Sequence, residues 1–266
     1  MRAFIVAVAV FVFAFAGRPL AEDIPVDVEL ILAVDVSRSM TPRELEIQRR
    51  GYAEAVTSRD VIQAIQGGAR GQVAITYIEW AGWHSQRVIV GWTLIRSDRD
   101  AQRFAERLTA KFDDTLRRTS ISGALDFASG LFAKNGYSGF RQVIDISGDG
   151  PNNQGRAVTG ARDDALAQGI TINGLPLMTR EGLGAQWHLD DLDLYYKDCV
   201  IGGPTAFVIP VLDWAHFPDA VRRKLILELV GIQPAPPTVP ERLHKAEGYD
   251  CLIGEKIWDE IMGDWN

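Results

Sequence analysis

Three oxygen-bearing side chains follow the first long apolar run of the chain. The run Leu30–Val34 predicts a buried β-strand, and Asp35, Ser37 and Ser39 come directly after it at alternate positions. Alternate side chains of an extended segment lie on the same side, and oxygen donors suit a hard divalent cation such as Mg²⁺. The same residues could instead cap the helix that is predicted to begin near Pro42, so this segment alone leaves both interpretations open.

Two later segments carry further oxygen donors. Thr119 precedes the predicted helix Ile121–Ala133, where its hydroxyl can face outward. Asp149 follows the predicted strand Gln142–Ile146, and its flanking glycines let the backbone approach a ligand closely. Ligands of open α/β sheets bind beyond the carboxyl ends of strands, where the strand order reverses. If the two strands that end in acidic loops are neighbours there, five side chains converge at that edge: Asp35, Ser37, Ser39, Thr119 and Asp149.

Apolar runs and helical patterns alternate along the chain, which predicts an α/β fold. We expect a doubly wound, mainly parallel sheet of six strands with helices on both faces. The link between the predicted strands Gln72–Glu79 and Arg87–Trp92 is too short for a helical crossover, so one edge strand should be antiparallel. Thr205–Ile209 is the predicted sixth strand, and Asp213–Val230 is the last long helix.

Residues 1–21 have the features of a secretory signal peptide. Arg2 precedes the uninterrupted apolar stretch Ala3–Ala16, which is too short for a comfortable membrane span and right for a signal-peptide core. We expect cleavage after Ala21, with cleavage after Ala16 or an uncleaved anchor as the alternatives. The mature protein should therefore be exported, to the periplasm or the medium, without a stable membrane span.

The net charge limits the kinds of binding partner to be expected, and the cysteine content bears on the cellular compartment. The net charge of −7 argues against a nucleic acid or an anionic membrane as the partner. Cys199 and Cys251 are the only cysteines, and disulfides persist in an exported protein. We expect one Cys199–Cys251 bond, the alternative being two separate thiols. It would tie a proline-rich linker and C-terminal tail, residues 232–266, to a domain that spans residues 22–231.

Three segments together resemble a von Willebrand factor A-type domain that carries a metal-ion-dependent adhesion site. The Asp-x-Ser-x-Ser element occupies residues 35–39, the segment Thr119–Leu125 resembles the threonine loop of that family, and Ser147–Gly150 resembles its third element. The resemblance covers about residues 26–231 and implies a Rossmann-like sheet. One departure is Gly148, where the family usually has threonine. Another is Asp145, which lies inside an otherwise apolar strand and, if buried, needs a hydrogen-bond partner; we expect that partner within the Asp149 loop.

Other segments are similar to a narrower bacterial family of exported A-type domains without an established function. The most distinctive of them are Asp145–Asn153 and Tyr195–Gly203.

The resemblance implies a binding function. Ser37, Ser39 and Thr119 would coordinate Mg²⁺, or alternatively Mn²⁺ or Ca²⁺, through their hydroxyls, and Asp35 and Asp149 would act mainly through bound waters. A carboxylate of a partner protein would then complete the coordination sphere.

Three other functions compete with this interpretation. A metal-dependent phosphohydrolase normally needs a second acid two positions after Asp35, where this chain has Ser37. Serine hydrolysis needs a nucleophile elbow, which the sequence lacks. We therefore predict that the protein is not an enzyme. The remaining alternative is a structural or assembly module whose metal site is vestigial.

Overall fold

The structure is a computed structural model that describes residues 22–110, 116–179, 188–234 and 248–263. The predicted signal peptide and most of the predicted proline-rich linker lie outside these ranges.

A five-stranded sheet forms the centre of the molecule, in the order β3-β2-β1-β4-β5. All neighbouring strands are parallel except β3, which pairs antiparallel with β2 at one edge. The predicted α/β fold and its antiparallel edge strand are therefore confirmed. The strands are β1 Ile24–Asp35, β2 Val73–Trp80, β3 Gln86–Ile95, β4 Tyr137–Gly148 and β5 Ile170–Pro176.

The predicted sixth strand is not a regular strand, so the prediction of six strands is not confirmed. Residues 205–211 run beside β5, and the Ile209 N–H donates to the Gly174 carbonyl at 3.0 Å. The described chain there forms only isolated bridges to β5. Thr205 has a left-handed backbone (φ 63°) and Pro210 lacks an N–H to donate, so the segment cannot continue the ladder.

Helices cover both faces of the sheet, as predicted. On one face, α1 contacts α7, α3 and α2, and α7 also contacts α2. On the other face, α4 contacts α5. A short π-helical segment, Tyr196–Val200, continues α6 directly. The helices are α1 Pro42–Thr57, α2 Arg59–Gln66, α3 Asp98–Thr109, α4 Ile121–Leu131, α5 Val158–Ala167, α6 Leu192–Tyr195, α7 Phe217–Val230 and α8 Ile253–Gly263.

The central strand β1 separates two hydrophobic cores. Leu30 and Leu32 pack into the core that includes residues of α1 and α7, whereas Ile31 and Ala33 pack into the core that includes residues of α4 and α5. A parallel strand buried on both faces favours apolar side chains at successive positions, which explains the apolar run Leu30–Val34 in the second half of β1. The rigid centre of the sheet thus ends at Asp35, the first of the candidate site residues.

Candidate metal-binding site

Two acidic loops meet at the carboxyl edge of the sheet. β1 ends at Asp35 and β4 ends at Gly148, and the two strands are parallel neighbours with Val34 opposite Ser147. After β1 the chain continues to β2 on one side of β1, and after β4 it continues to β5 on the opposite side of the sheet. The strand order therefore reverses between β1 and β4. This is the place where open α/β sheets bind ligands, and the expected neighbouring of the two strands is confirmed.

A continuous hydrogen-bonded chain joins four of the five candidate residues. The Ser37 N–H donates to Asp35 Oδ1 at 2.7 Å. The Ser37 and Ser39 hydroxyl oxygens are 2.9 Å apart, and the Ser39 hydroxyl donates to Asp149 Oδ1 at 2.9 Å. The loop after β1 and the loop after β4 are therefore joined by hydrogen bonds between their oxygen-bearing side chains.

The alternative interpretation of this segment as a helix cap is wrong. Thr41 is the N-cap of α1, since its hydroxyl accepts from the Glu44 N–H at 3.3 Å and Glu44 Oε2 accepts from the Thr41 N–H at 2.6 Å. This capping box satisfies the start of the helix without help from the residues before it. The oxygens of Asp35, Ser37 and Ser39 are thus left for another purpose.

Thr119, the fifth candidate, opens onto the same pocket. Its N–H donates to Asn153 Oδ1 at 3.1 Å, and the Asn153 N–H donates back to the Thr119 carbonyl at 2.9 Å. Ser120, rather than Thr119, caps α4 by accepting from the Gly123 N–H. The cavity has a volume of about 250 Å³, and four candidates line it: Ser37, Ser39, Thr119 and Asp149.

One carboxylate oxygen of the site has no partner. Asp35 is fully buried, and its Oδ2 forms no hydrogen bond within the described part of the chain. A buried acceptor without a donor costs about 1–3 kcal/mol, and more if it is charged. A hydrated cation next to it would supply the missing donors and the opposite charge. The donor set, two carboxylates and three hydroxyls, is all oxygen, so these residues fit a hard divalent ion.

The electrostatics of the two acids favour a positive ligand. Burial, and then the nearby charge of Asp149, raises the pKa of Asp35 well above its usual range. Burial also raises the pKa of Asp149 to about 6, with the charge of Glu44 adding to the effect. Both shifts mean that a second negative charge is unfavourable here without a cation.

Tyr196 is a residue of this site that sequence reasoning missed. Its hydroxyl is buried and has no hydrogen-bond partner among the described residues. A Cβ at Gly148 would lie 2.9 Å from Tyr196 Oη and 3.0 Å from Asp35 Oδ2, and a Cβ at Gly174 would lie 2.7 Å from the Tyr196 ring. Two glycines at strand ends thus make room for the ring, which explains why Gly148 replaces the usual threonine. That replacement was the available sequence signal.

The C-terminal tail forms one wall of the pocket, which the sequence did not predict. The expected disulfide between Cys199 and Cys251 is present, with an S–S distance of 2.01 Å. It holds α8 beside the acidic loops, where Asn152 Nδ2 donates to Glu255 Oε1 at 2.7 Å. Ile257 and Trp258 line the same cavity as the hydroxyls.

The described residues contain no cluster of three or more His, Cys, Asp and Glu side chains that could hold a metal. No described helix is both long and apolar enough to cross a membrane.

Comparisons with solved structures identify the fold. Proximal thread matrix protein 1 from the mussel byssus has a TM-score of 0.54 at 14% identity, covering 79% of this chain and 49% of that chain. The von Willebrand factor type A protein from Catenulispora acidiphila has a TM-score of 0.52 at 15% identity, covering 77% and 43%. The pilus adhesin SpaC from Lactobacillus rhamnosus GG has a TM-score of 0.52 at 13% identity, covering 79% and 31%.

This chain spans less than half the length of each of these three proteins. At such low identity the likeness establishes the fold, which is that of a von Willebrand factor A domain. No curated protein sequence matches the chain significantly. One family matches residues 25–233, most of the chain, and the protein therefore belongs to this family, described as "Protein of unknown function (DUF1194)".

Proposed function

We propose that the protein is an exported binding domain in which a divalent cation joins it to an acidic residue of a partner protein. Ser37, Ser39 and Thr119 would hold the cation through their hydroxyls, and Asp35 and Asp149 would hold its bound waters. Mg²⁺ is the proposed ion, with Mn²⁺ or Ca²⁺ as alternatives.

The hydrogen-bonded chain from Asp35 to Asp149 carries this proposal. It links the two acidic loops through Ser37 and Ser39, and it opens, together with Thr119, onto one pocket. Neutral hydroxyls neutralise little of the charge of a bound ion. The ion therefore keeps a strong attraction for an external carboxylate, so the arrangement suits adhesion better than hydrolysis.

The comparisons support this proposal at the level of the fold. One structure of proximal thread matrix protein 1, with a TM-score of 0.51, is described as having a zinc-occupied MIDAS motif. The same fold can thus hold a divalent ion in that protein. The proposal that this chain also binds one rests on its own oxygen donors.

Export is part of the proposal. The Cys199–Cys251 disulfide supports an oxidising compartment such as the periplasm or the medium. The signal peptide that would direct the chain there remains a prediction from residues 1–21.

Isothermal titration calorimetry with Mg²⁺ and Mn²⁺ tests the proposal. We expect a single site in the wild-type protein, and at least tenfold weaker binding in Asp35→Ala and Ser39→Ala. Asp27→Asn is the matched control, because Asp27 is a buried acid of the same strand whose carboxylate accepts the Arg70 N–H, far from the pocket. Folding of each variant is checked by circular dichroism. Equal affinity in the wild type and in folded Asp35→Ala would contradict the proposal.

A further inference from the structure

The mouth of the pocket is positive although the protein as a whole is acidic. Three arginines line the cavity, and Asp149 is the single acid in its lining, in a chain of net charge −7. Arg38, Arg117 and Arg118 are all exposed. Arginine pairs well with carboxylates because its planar guanidinium can donate two parallel hydrogen bonds. The local charge therefore favours a ligand that carries more than one acidic group.

The three arginines have different surroundings. Arg118 Cζ lies 3.9 Å from the centre of the Trp258 ring, so this guanidinium is stacked on α8. Arg38 and Arg117, in contrast, form no ion pair with any residue in the described ranges. Within the described residues, the guanidinium groups of Arg38 and Arg117 are thus exposed and without an ion pair, whereas that of Arg118 contributes to the wall.

The part of the lining that α8 supplies is apolar and anchored to the rest of the domain. Ile257 and Trp258 supply its surface. α8 is anchored by the Cys199–Cys251 disulfide and by the hydrogen bond from Asn152 to Glu255. An anchored apolar wall can select a side chain next to the acidic group without a large ordering cost.

We propose that this pocket binds an acidic peptide segment of the partner that has two neighbouring carboxylates and an adjacent apolar side chain. This inference rests on the proposed function. The first carboxylate would lie at the hydroxyl cluster, and the second would pair with Arg38 and Arg117. The apolar side chain would pack against Ile257 and Trp258.

Fluorescence anisotropy with three fluorescein-labelled synthetic peptides tests this inference. The first has aspartate, glutamate and leucine in succession between glycine and serine residues, the second replaces the glutamate by glutamine, and the third replaces the leucine by serine. Titrations contain enough Mn²⁺ to saturate each protein, as established by calorimetry, so differences in cation affinity do not enter. The proteins are the wild type, Arg38→Gln/Arg117→Gln and Trp258→Ala, with Arg59→Gln/Arg99→Gln as the control pair, because both arginines are exposed and neither lines the pocket.

We expect the wild type to bind the first peptide about tenfold more tightly than either of the others, a difference of about 1.4 kcal/mol. Arg38→Gln/Arg117→Gln should lose the preference for glutamate and keep that for leucine, and Trp258→Ala should do the reverse. The control pair should behave as the wild type does. If the wild type binds Mn²⁺ but no peptide, or all three equally, this inference is overturned and the proposed function stands. If the wild type does not bind the cation, the proposed function itself fails.

Discussion

β4 and the loop that follows it carry two acids with opposite surroundings. Asp145, in the middle of the strand, is fully buried and lies 2.6 Å from Lys224 Nζ of α7, which also contacts Glu228. Asp149, four residues later, is connected to Asp35 through Ser37 and Ser39. Among the described residues, no lysine or arginine forms an ion pair with Asp35 or Asp149. The core cluster of Asp145, Lys224 and Glu228 contains its own cation, whereas no cationic side chain within the described residues pairs with the two acids of the candidate metal site.

This difference indicates that Asp35 and Asp149 need a positive charge from solution. Burial raises the pKa of Asp145 even with the lysine ammonium beside it, and burial with the charge of Asp145 raises the pKa of Glu228 to about 7. Buried acids here are thus costly even when they are paired. Within the described ranges, Asp35 and Asp149 lack such a partner, so a cation from solution would stabilise them most. The predictions below test this contrast, from the largest expected effect to the smallest.

Removal of the Lys224 ammonium, the cation of the core cluster, should have the largest effect on stability. Lys224→Met should lower the free energy of unfolding by about 3–5 kcal/mol, because it leaves Asp145 and Glu228 buried without a counter-charge. Arg223→Met is the matched control on the same helix, since Arg223 is exposed and should change stability by less than about 0.5 kcal/mol. Urea unfolding at pH 8 measures both. A loss below about 1 kcal/mol in Lys224→Met would contradict the contrast.

Cation binding should stabilise the pocket in the wild type but not in Asp35→Asn. At a Mg²⁺ concentration of about 100 times the dissociation constant, the free energy of unfolding of the wild type should rise by about 2.7 kcal/mol. Asp35→Asn should lose this gain, yet be more stable than the wild type by about 1 kcal/mol in EDTA, because it removes a buried negative charge beside Asp149 and keeps the oxygen that accepts the Ser37 N–H.

Asp145→Asn supplies the opposite case for the same measurement. It should be less stable than the wild type in EDTA, since it takes a partner from Lys224, and it should keep the gain from Mg²⁺. Denaturant unfolding with and without Mg²⁺ distinguishes the two variants. If both acids respond in the same way, the two regions do not differ as described.

The buried cluster of Asp145, Lys224 and Glu228 should make the free energy of unfolding depend on pH. The pKa of Glu228 is about 4.3 in an unfolded chain and is raised to about 7 in the fold. Between these values the folded protein holds a proton that the unfolded chain has lost, so the free energy of unfolding falls as the pH rises from about 4.5 to 7. Glu228→Gln should remove on the order of 3 kcal/mol of this decline. Urea unfolding at several pH values tests it, and parallel curves for variant and wild type would rule it out.

The hydroxyl of Tyr196 should have a smaller effect, confined to the pocket. Burial, and then the charge of Asp35, raises the pKa of Tyr196 well above its usual range, so the neutral hydroxyl can donate towards the unpaired Asp35 oxygen or a water between them. Tyr196→Phe should weaken Mn²⁺ binding about fivefold, or about 1 kcal/mol. Tyr77→Phe is the control, because that hydroxyl is also buried without a partner but lies in the other core. Calorimetry measures both, and equal effects in the two variants would count against a role for Tyr196.

Local signals in the sequence were enough to predict the end of β1 and the edge where the acids meet. The apolar run before Asp35 has no polar residue that would allow another end, and α1 begins where it was predicted, at Pro42, because Thr41 and Glu44 form a capping box. Such features depend on a few neighbouring residues and can be inferred without knowing the fold.

Long-range features could not be predicted in the same way. The expectation that Asp145 finds a partner within the Asp149 loop is wrong, because its partner is Lys224, 79 positions away on α7, and a lysine on a helix is normally expected in solvent. The position of α8 depends on a disulfide between residues 52 positions apart. The sequence suggested that bond but not the surface against which the helix would pack.

Crystallography with Mn²⁺, using its anomalous scattering, tests the central claim most directly. We predict one strong anomalous peak in the pocket, within about 2.5 Å of the hydroxyl oxygens of Ser37, Ser39 and Thr119, and no such peak in crystals of Asp35→Ala grown in the same solution. A wild-type crystal soaked in saturating Mn²⁺ without a peak at these hydroxyls would contradict the account.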